Sequence, residues 1–503
     1  MLSQFALLIL GFFSQRAMNL YMGAELVGMN GVISNVINIL SVTELGISTA
    51  IVYHLYGALA RKDEAEIASL MNLYRKAYHV FAVLVFAAGM AVLPFIHLFM
   101  KNNSYSLSYI RVLYAMWLVR TVLSYLLTYR KSLLIADQKE YIASITGLIL
   151  NVVSYLAIIL LVTWEQNYLL ALGIGTVTEV VLNIWISWYV EQKYPFLRQR
   201  RKEKSTSSLT KRIVRDLKSL FISRISEKML YCTDNLIISG FIGVGTVGRY
   251  ANYCMITQAI SNILTILANT IQPTVGDYFT EKNRQRNYEI LRQLTFGFFC
   301  IASVVSVGLF SLITPFVRDI WLGPSYELGW GITVFCIVVL LVRIMGLPLS
   351  LVMGVTGLFE KEKNVGASSA LLNLIVSLAL VKPYGMAGVL LGTLLSYLLQ
   401  ILYRYIIYFR DFLEMPGEAL RYAQDIGEYL AVIAGEVLLM QKIVPLIYGA
   451  GGMLLFCVCF LLCIAIPLLL DLVIFGRGWR LQSIVTMVKG CLLYTSPSPR
   501  DCS

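Results

Sequence analysis

Charged residues are scarce in this 503-residue chain, at 14% of the sequence, whereas hydrophobic residues make up 58%. A soluble domain holds about 25% charged and about 45–50% apolar residues. The mean hydropathy of +0.72 therefore excludes packing of the whole chain into one soluble core, and no stretch is polar enough for a sizeable soluble domain. The scarcity of charge predicts an integral membrane protein.

Enzyme motifs are also absent. The sequence has no Gly-x-x-x-x-Gly-Lys-Ser/Thr phosphate loop, no His-Glu-x-x-His zinc motif and no Gly-x-Ser-x-Gly nucleophile motif. The three histidines have no metal-ligand spacing, and the nine cysteines form no periodic framework that would predict disulfides. We therefore expect neither catalytic residues nor a metal site.

Long apolar runs, by contrast, are abundant. Fourteen of them, separated by charged breaks, are long enough to cross a membrane as helices. They lie near residues 2–22, 28–58, 77–100, 108–134, 141–163, 167–190, 219–241, 248–272, 293–317, 330–357, 365–381, 385–409, 425–448 and 450–475. Ten-residue segments of alternating polarity, typical of membrane barrels, are missing. We predict an all-α membrane protein with about 14 transmembrane helices.

The distribution of Lys and Arg predicts the orientation. With the N-terminus inside, the predicted inner loops hold 29 of these residues and the outer connections hold 5. Such an excess marks the cytoplasmic side, so we expect both termini in the cytoplasm. The net charge of +12 is then attracted to anionic lipid, and no nucleic-acid partner is needed to explain it.

The chain reads as two halves. The longest polar stretch, at 191–218, predicts a basic cytoplasmic linker, and GAELVG at 23–28 matches GVGTVG at 243–248. Since six spans return the chain to its starting side, the halves form a parallel repeat, which places substrate between them. The predicted organisation is an N-lobe at 1–190, the linker at 191–218, a C-lobe at 219–412 and two appended helices at 413–480.

Four arginines lie in apolar runs, the first, fourth, seventh and tenth: Arg16, Arg120, Arg224 and Arg343. Each costs roughly 2.5–3.5 kcal/mol in hydrocarbon unless it faces a polar cavity and a partner. They predict a wet, positively charged cavity for an anion. Arg224 has two alternatives to anion binding: its side chain could snorkel to the inner face, or it could pair with Glu227. For the other three arginines, the alternative is a structural ion pair with a buried carboxylate.

Four carboxylates also lie in apolar runs: Glu44, Glu179, Asp234 and Glu436. Glu44 and Asp234 fall in the matched segments of spans two and seven. Such groups could bind Na⁺ or a proton and couple transport to an ion gradient, or they could serve as arginine counter-ions and hydrogen-bonded structural residues. No other cofactor is expected.

Several segments carry a family resemblance. They are GAELVGMNG at 23–31, ILSVTELG at 39–46, LMNLYRK at 70–76, SLLIADQK at 132–139, TDNLIISGFIG at 233–243 and VGRYANY at 247–253. Through them the sequence resembles the polysaccharide transporter group of bacterial flippases, the Wzx-like proteins, which are related to the lipid II flippases and the multidrug MATE exporters. The resemblance covers about residues 2–480. It implies two lobes, a V-shaped cavity and an undecaprenyl-diphosphate-linked oligosaccharide as cargo.

A diphosphate suits the buried arginines, since a guanidinium binds phosphate oxygens bidentately. We expect Arg16, Arg120 and Arg343 to hold it in one cavity and Arg224 to capture it at the inner rim. The resemblance further implies the bacterial cytoplasmic membrane as location, with membrane lipid, glycosyltransferases and a polysaccharide polymerase as partners. Two alternatives are a MATE-type ion-coupled drug exporter and, less favoured by the short outer connections, a membrane glycan polymerase or ligase.

The last residues differ in character from the rest. Back-translated, CLLYTSPSPRD at 491–501 matches a reading frame of a common transposase sequencing adapter. We predict that 491–503 is adapter read-through and that the native C-terminus is lost after about Gly490.

Overall fold

The computed structural model describes residues 2–41, 47–197, 228, 232–279, 283–358, 361, 363–449 and 451–476. Every regular element in these ranges is helical, and eleven of the helices are long and apolar enough to cross a membrane. Large apolar side chains point outward from them, among them Leu446 at 85% exposed and Trp164 at 80%. Hydrocarbon around the helices would cover this apolar surface. The prediction of an all-α membrane protein is confirmed.

The chain divides into two compact units, and unit 1 comprises residues 1–251 and 381–385. Its helices are α1 (Leu2–Ala17), α2 (Gly23–Leu40), α3 (Ile47–Ala60), α4 (Glu64–Val92), α5 (Leu107–Thr128), α6 (Lys131–Ala136), α7 (Glu140–Trp164), α8 (Tyr168–Lys193), α9 (232–241) and the start of α10 (Val244–Tyr278). A π-helical turn at Met18–Met22 joins α1 to α2.

Unit 2 comprises residues 252–380 and 386–503. After the rest of α10, its helices are α11 (Arg284–Pro315), α12 (Trp330–Val355), α13 (Lys363–Tyr384), α14 (Met386–Ile406), α15 (Pro416–Tyr448) and α16 (Met453–Phe475). Most of the predicted linker and the whole 491–503 tail lie outside the described residues. The predicted lobes and linker stay a prediction.

Helix starts are set by short polar residues. Asp63, Ser106, Asn167 and Asn283 each accept a hydrogen bond from the backbone N–H three residues on, at 3.0–3.2 Å. These bonds satisfy donors that the first helical turn leaves open. These caps fix the first residues of α4, α5, α8 and α11.

The two glycine motifs that match in sequence also meet in space. A Cβ on Gly28 of α2 would lie 1.9 Å from the carbonyl oxygen of Val244, and a Cβ on Gly248 of α10 would lie 1.8 Å from that of Ala24. Each glycine therefore lets the backbone of the other helix approach directly, as small residues do in packed membrane helices. The contact is reciprocal, because residues 24 and 28 correspond to 244 and 248 in the repeat.

In unit 2, α11, α15 and α16 meet around an aromatic cluster. Phe299 stacks on Tyr429 with ring centroids 4.5 Å apart, and Phe475 meets Phe299 edge-on at 5.5 Å. Further toward the starts of α11 and α15, Arg292 and Asp425 form a half-buried ion pair at 2.6 Å. The facing carboxylate offsets the desolvation cost of burying the guanidinium charge.

Small and polar residues join α13 to α14. Asn373 donates to Thr393 Oγ1 at 3.0 Å, and Ser396 donates to the carbonyl oxygen of Ser369 at 2.8 Å. At Gly392, a Cβ would lie 2.5 Å from Ser377 Oγ. Where apolar attraction between helices is weak, such close contacts and hydrogen bonds hold them together.

The turn between α6 and α7 contains a small polar cluster. Asp137 accepts hydrogen bonds from Lys139 and from the hydroxyl of Tyr194. Burial alone would raise the pKa of Asp137, but these two hydrogen bonds and the Lys139 charge hold that pKa below its ordinary value. The carboxylate thus ties the turn to the end of α8.

Candidate functional site

A polar cavity of about 390 Å³ lies within unit 1. Its wall is built from α2, α5 and α8, together with Lys228. The residues that line it are Ser34, Ile37, Asn38, Ser41, Trp117, Arg120, Thr121, Ser124, Tyr125, Glu179 and Lys228. The volume falls within the range of small-molecule sites, which run from about 300 to 1,000 Å³.

Helical periodicity explains why these side chains converge. On α5 the lining residues Trp117, Thr121 and Ser124 recur at spacings of three or four, which places them on one face. On α2, Ser34 and Asn38 do the same. Hydroxyl and amide groups on faces that lie in apolar runs are costly toward lipid, so these faces turn inward.

The centre of the cavity is an ion pair. Arg120 donates from Nε to Oε2 of Glu179 at 2.7 Å, and the two side chains are 21% and 17% exposed. A guanidinium has five N–H donors, and Glu179 takes the one on Nε. The pair is thus held in place while Arg120 keeps donors suited to an entering anion.

Neighbouring residues fix the orientation of Arg120. Its Cζ lies 5.5 Å from the ring centroid of Trp117, and the Trp117 indole donates to Asn30 Oδ1 at 3.1 Å. On α8, a Cβ on Gly175 would lie 3.5 Å from Arg120 Nη1. An aromatic platform on one side and the missing side chain of Gly175 on the other leave the guanidinium a defined space.

Lys228 adds a second cation, which the sequence analysis did not select. It lines the cavity with its side chain partly exposed. The sequence offers a signal for it, because Lys228 lies in the predicted span 219–241, where a lysine carries the same cost in hydrocarbon as an arginine. Among the residues that the structure describes, the cavity wall holds two cations, Arg120 and Lys228, and one carboxylate, Glu179.

Two other predicted arginines lie elsewhere. Arg16 is exposed in the last turn of α1 and does not line this cavity. Arg343 belongs to unit 2, on α12, where its Cζ lies 5.5 Å from the ring centroid of Tyr397. That Arg16, Arg120 and Arg343 share one cavity stays a prediction.

Of the remaining predicted site residues, two are buried outside this cavity and two lie outside the described residues. Asp234 is buried in α9 at 7% exposed, and Glu436 is buried in α15 at 3%. Arg224 and Glu44 lie outside the described residues. Of the residues selected from the sequence, the structure therefore brings Arg120 and Glu179 together, with Glu179 as the counter-ion of the arginine.

Known structures share the architecture. A structure of the lipid II flippase MurJ in an inward closed conformation superposes with a TM-score of 0.66 at 16% identity, covering 94% of this chain and 98% of that one. An inward-facing multidrug resistance MATE family transporter superposes with a TM-score of 0.62 at 13% identity, covering 81% of this chain and 94% of that one. A Vibrio cholerae MATE transporter superposes with a TM-score of 0.52 at 10% identity, covering 81% of this chain and 96% of that one. At these identities the likeness establishes the transporter fold alone.

At the level of sequence, none of the curated proteins compared with this chain matches it. A family model does match, over residues 1–279, which is more than half of the 503 residues and includes every residue of the cavity. The model describes polysaccharide biosynthesis proteins. By this match the chain belongs to the polysaccharide biosynthesis protein family.

Proposed function

We propose that this multi-pass membrane protein is a flippase that moves an undecaprenyl-diphosphate-linked oligosaccharide across the cytoplasmic membrane by alternating access. Family membership and the transporter fold support a lipid-linked cargo. The observation that carries the proposal is Arg120, a cation inside an apolar helix that faces a polar cavity. A buried arginine persists where an anion or a function compensates its desolvation.

The charges of the cavity suit a diphosphate. Glu179 balances Arg120, and Lys228 leaves the site with a net positive charge for the phosphate oxygens. Hydroxyl and amide groups at Ser34 and Asn38 could then bind the first sugar. The polyprenyl tail is hydrocarbon and stays in the lipid, so only the head group needs a polar path.

A drug exporter of the MATE type is the second candidate, because MATE transporters share the fold. Their ion-coupled export of cationic drugs would favour a cavity in which carboxylates outnumber cations. Here Glu179 shares the described wall of the cavity with two cations, Arg120 and Lys228. The balance of charge favours an anionic cargo.

Orientation and partners follow from the same proposal. With both termini cytoplasmic, glycosyltransferases would supply the lipid-linked repeat unit on the inner face. A polysaccharide polymerase would consume it on the outer face. Transport would draw on a Na⁺ or proton gradient.

The test uses full-length protein in proteoliposomes that contain a polyprenyl-diphosphate disaccharide with a fluorescent sugar. A membrane-impermeant quencher reports which leaflet the sugar occupies. The variants are Arg120→Ala, Arg120→Lys and Lys228→Ala, and the matched control is Arg111→Ala, which removes an exposed cation near the start of the same helix. Thermal unfolding of each variant checks that it folds.

Losing a charge-assisted hydrogen bond costs about 1.5–3 kcal/mol, which corresponds to roughly a tenfold to hundredfold loss of rate. We expect that loss for Arg120→Ala, partial activity for Arg120→Lys and normal rates for Arg111→Ala. Normal flipping by a folded Arg120→Ala variant would refute the role of the cavity. Export of cationic dyes without movement of the disaccharide would favour the drug exporter instead.

A further inference from the structure

Three helices of unit 2 enclose a pair of carboxyl groups that the cavity of unit 1 does not use. Glu436 of α15 is 3% exposed, Asp471 of α16 is 4% exposed, and Ser303 of α11 is fully buried. Ser303 Oγ donates to Glu436 Oε2 at 2.6 Å. Asp471 lies within electrostatic reach of Glu436 and beside Ser303. The aromatic cluster packs one turn away, since Phe299 and Phe475 are each four residues from a member of this group.

The two carboxyl groups are incompletely satisfied. Neither oxygen of Asp471, nor Oε1 of Glu436, accepts a hydrogen bond from any residue that the structure describes. A buried acceptor without a partner costs about 1–3 kcal/mol, and an ionised one costs more. Three carboxyl oxygens from two side chains are therefore buried without a hydrogen-bond donor among the described residues.

The surrounding charges do not neutralise the pair. The ion pair Arg292–Asp425 lies eleven residues away along both α11 and α15, which is ~16 Å at 1.5 Å per residue. The exposed Lys442 is six residues beyond Glu436, or ~9 Å along α15. Cys300 of α11 is the other ionisable side chain that interacts with the pair. Among described residues, therefore, two like charges would face each other in a membrane interior with no adjacent cation.

We propose that Glu436 and Asp471 form a proton-binding site, with Ser303 as its hydrogen-bond donor. Two neighbouring carboxylates in a desolvated place cannot both ionise at neutral pH, so at least one takes up a proton. A proton added to Asp471 converts its carboxylate to a neutral carboxylic acid, which removes one of the two like charges. Release of the same proton restores a charge between α11, α15 and α16 and disfavours their tight packing.

A protonatable pair of this kind is a means of coupling. If α16 moves during the transport cycle, proton uptake and release bias that movement, and the proton gradient then drives transport. This coupling role rests on the proposed function, whereas proton binding itself does not. Sodium is the other ion that three oxygens could hold, and the experiment separates the two.

Proton binding is measured by infrared difference spectroscopy on the full-length protein in lipid nanodiscs, titrated with acid in H₂O and in D₂O. The variants are Glu436→Gln, Asp471→Asn and the double variant. The matched control is Glu428→Gln, which removes an exposed carboxyl two turns earlier on α15. We expect a band from a protonated carboxyl group at pH 7 in the wild type and in Glu428→Gln, and its loss in the double variant.

Two results would overturn the proton site. One is a wild-type spectrum without a protonated-carboxyl band at pH 7. The other is loss of that band when NaCl replaces KCl at constant pH, which would make the site a sodium site. Both are read on the wild type, so they hold even if a variant fails to fold.

The coupling role is tested in proteoliposomes with an imposed pH gradient. For one proton per cycle, a gradient of one pH unit changes the accumulation ratio of cargo about tenfold. We expect that dependence in the wild type and in Glu428→Gln, and gradient-independent flipping in the double variant. Gradient-independent flipping by the wild type would refute coupling, whereas no flipping by any protein would refute the proposed cargo and leave the infrared result standing.

Discussion

Replacing Gly28 with alanine tests the crossing of α2 and α10. The new Cβ would lie 1.9 Å from the carbonyl oxygen of Val244, where ordinary contact begins at 3.4 Å. The helices must therefore separate by ~1.5 Å, which opens the packed interface around them. Overpacking of this kind costs about 1–3 kcal/mol, which exceeds the gain of up to ~1 kcal/mol from helix propensity. We expect Gly28→Ala to unfold at a lower temperature than the wild type.

The control lies three residues further along the same helix. A Cβ on Gly31 would meet Val247 Cγ1 at 3.7 Å, an ordinary contact, so Gly31→Ala should be neutral or stabilising. Gly248→Ala should resemble Gly28→Ala, and the double variant should lose less than the sum, because separated helices accommodate both methyl groups. The assay is thermal unfolding in one detergent, followed by light scattering. A Gly28→Ala protein that is as stable as Gly31→Ala would refute the close crossing.

Two further predictions concern ion pairs and pH. Asp425→Asn should destabilise the protein by about 1–3 kcal/mol, since it leaves Arg292 half-buried without its carboxylate. The control is Glu414→Gln, which affects the exposed pair with Arg284 and should change stability little; equal effects in thermal unfolding would contradict this. Because the pKa of Asp137 is lowered in the folded state, its contribution to stability is complete above its ordinary pKa and is lost as the pH falls through the lowered value. The gap in unfolding temperature between wild type and Asp137→Asn should therefore close under acid, and a gap that does not change with pH would contradict the assignment.

Hydropathy predicted the spans well and their ends poorly. The run at 293–317 was predicted as a span, but α11 begins at Arg284, nine residues earlier. Six of those nine residues are polar or charged, so the segment has a weak membrane signal. The Asn283 cap and good helix formers nevertheless start the helix there. The predicted span 28–58 corresponds to α2 and α3, which flank residues outside the described ranges.

The cavity was only partly predictable. That Arg120 needs a polar surrounding follows from its position in an apolar run, because the energetic cost is local. Its partner is 59 residues away, on α8, and which faces of α5 and α8 meet depends on packing that no local pattern encodes. Lys228 was predictable on the same ground as Arg120, because a lysine in an apolar run carries a similar energetic cost.

The glycine repeat shows why identity between the two halves is so low. Gly23 and Gly243 both adopt positive φ, at +82° and +139°; Gly23 is the first residue of α2, and Gly243 directly precedes α10. Gly28 and Gly248 both touch a carbonyl oxygen of the other helix. A side chain would be strained by the positive φ at Gly23 and Gly243 and would clash with the other helix at Gly28 and Gly248. Most residues between them meet no such demand and are free to differ. Two of the three identical positions in the motifs are therefore ones at which the backbone disfavours a side chain, the third being Val27 and Val247. A repeat of helices can persist in this way while most of its side chains diverge.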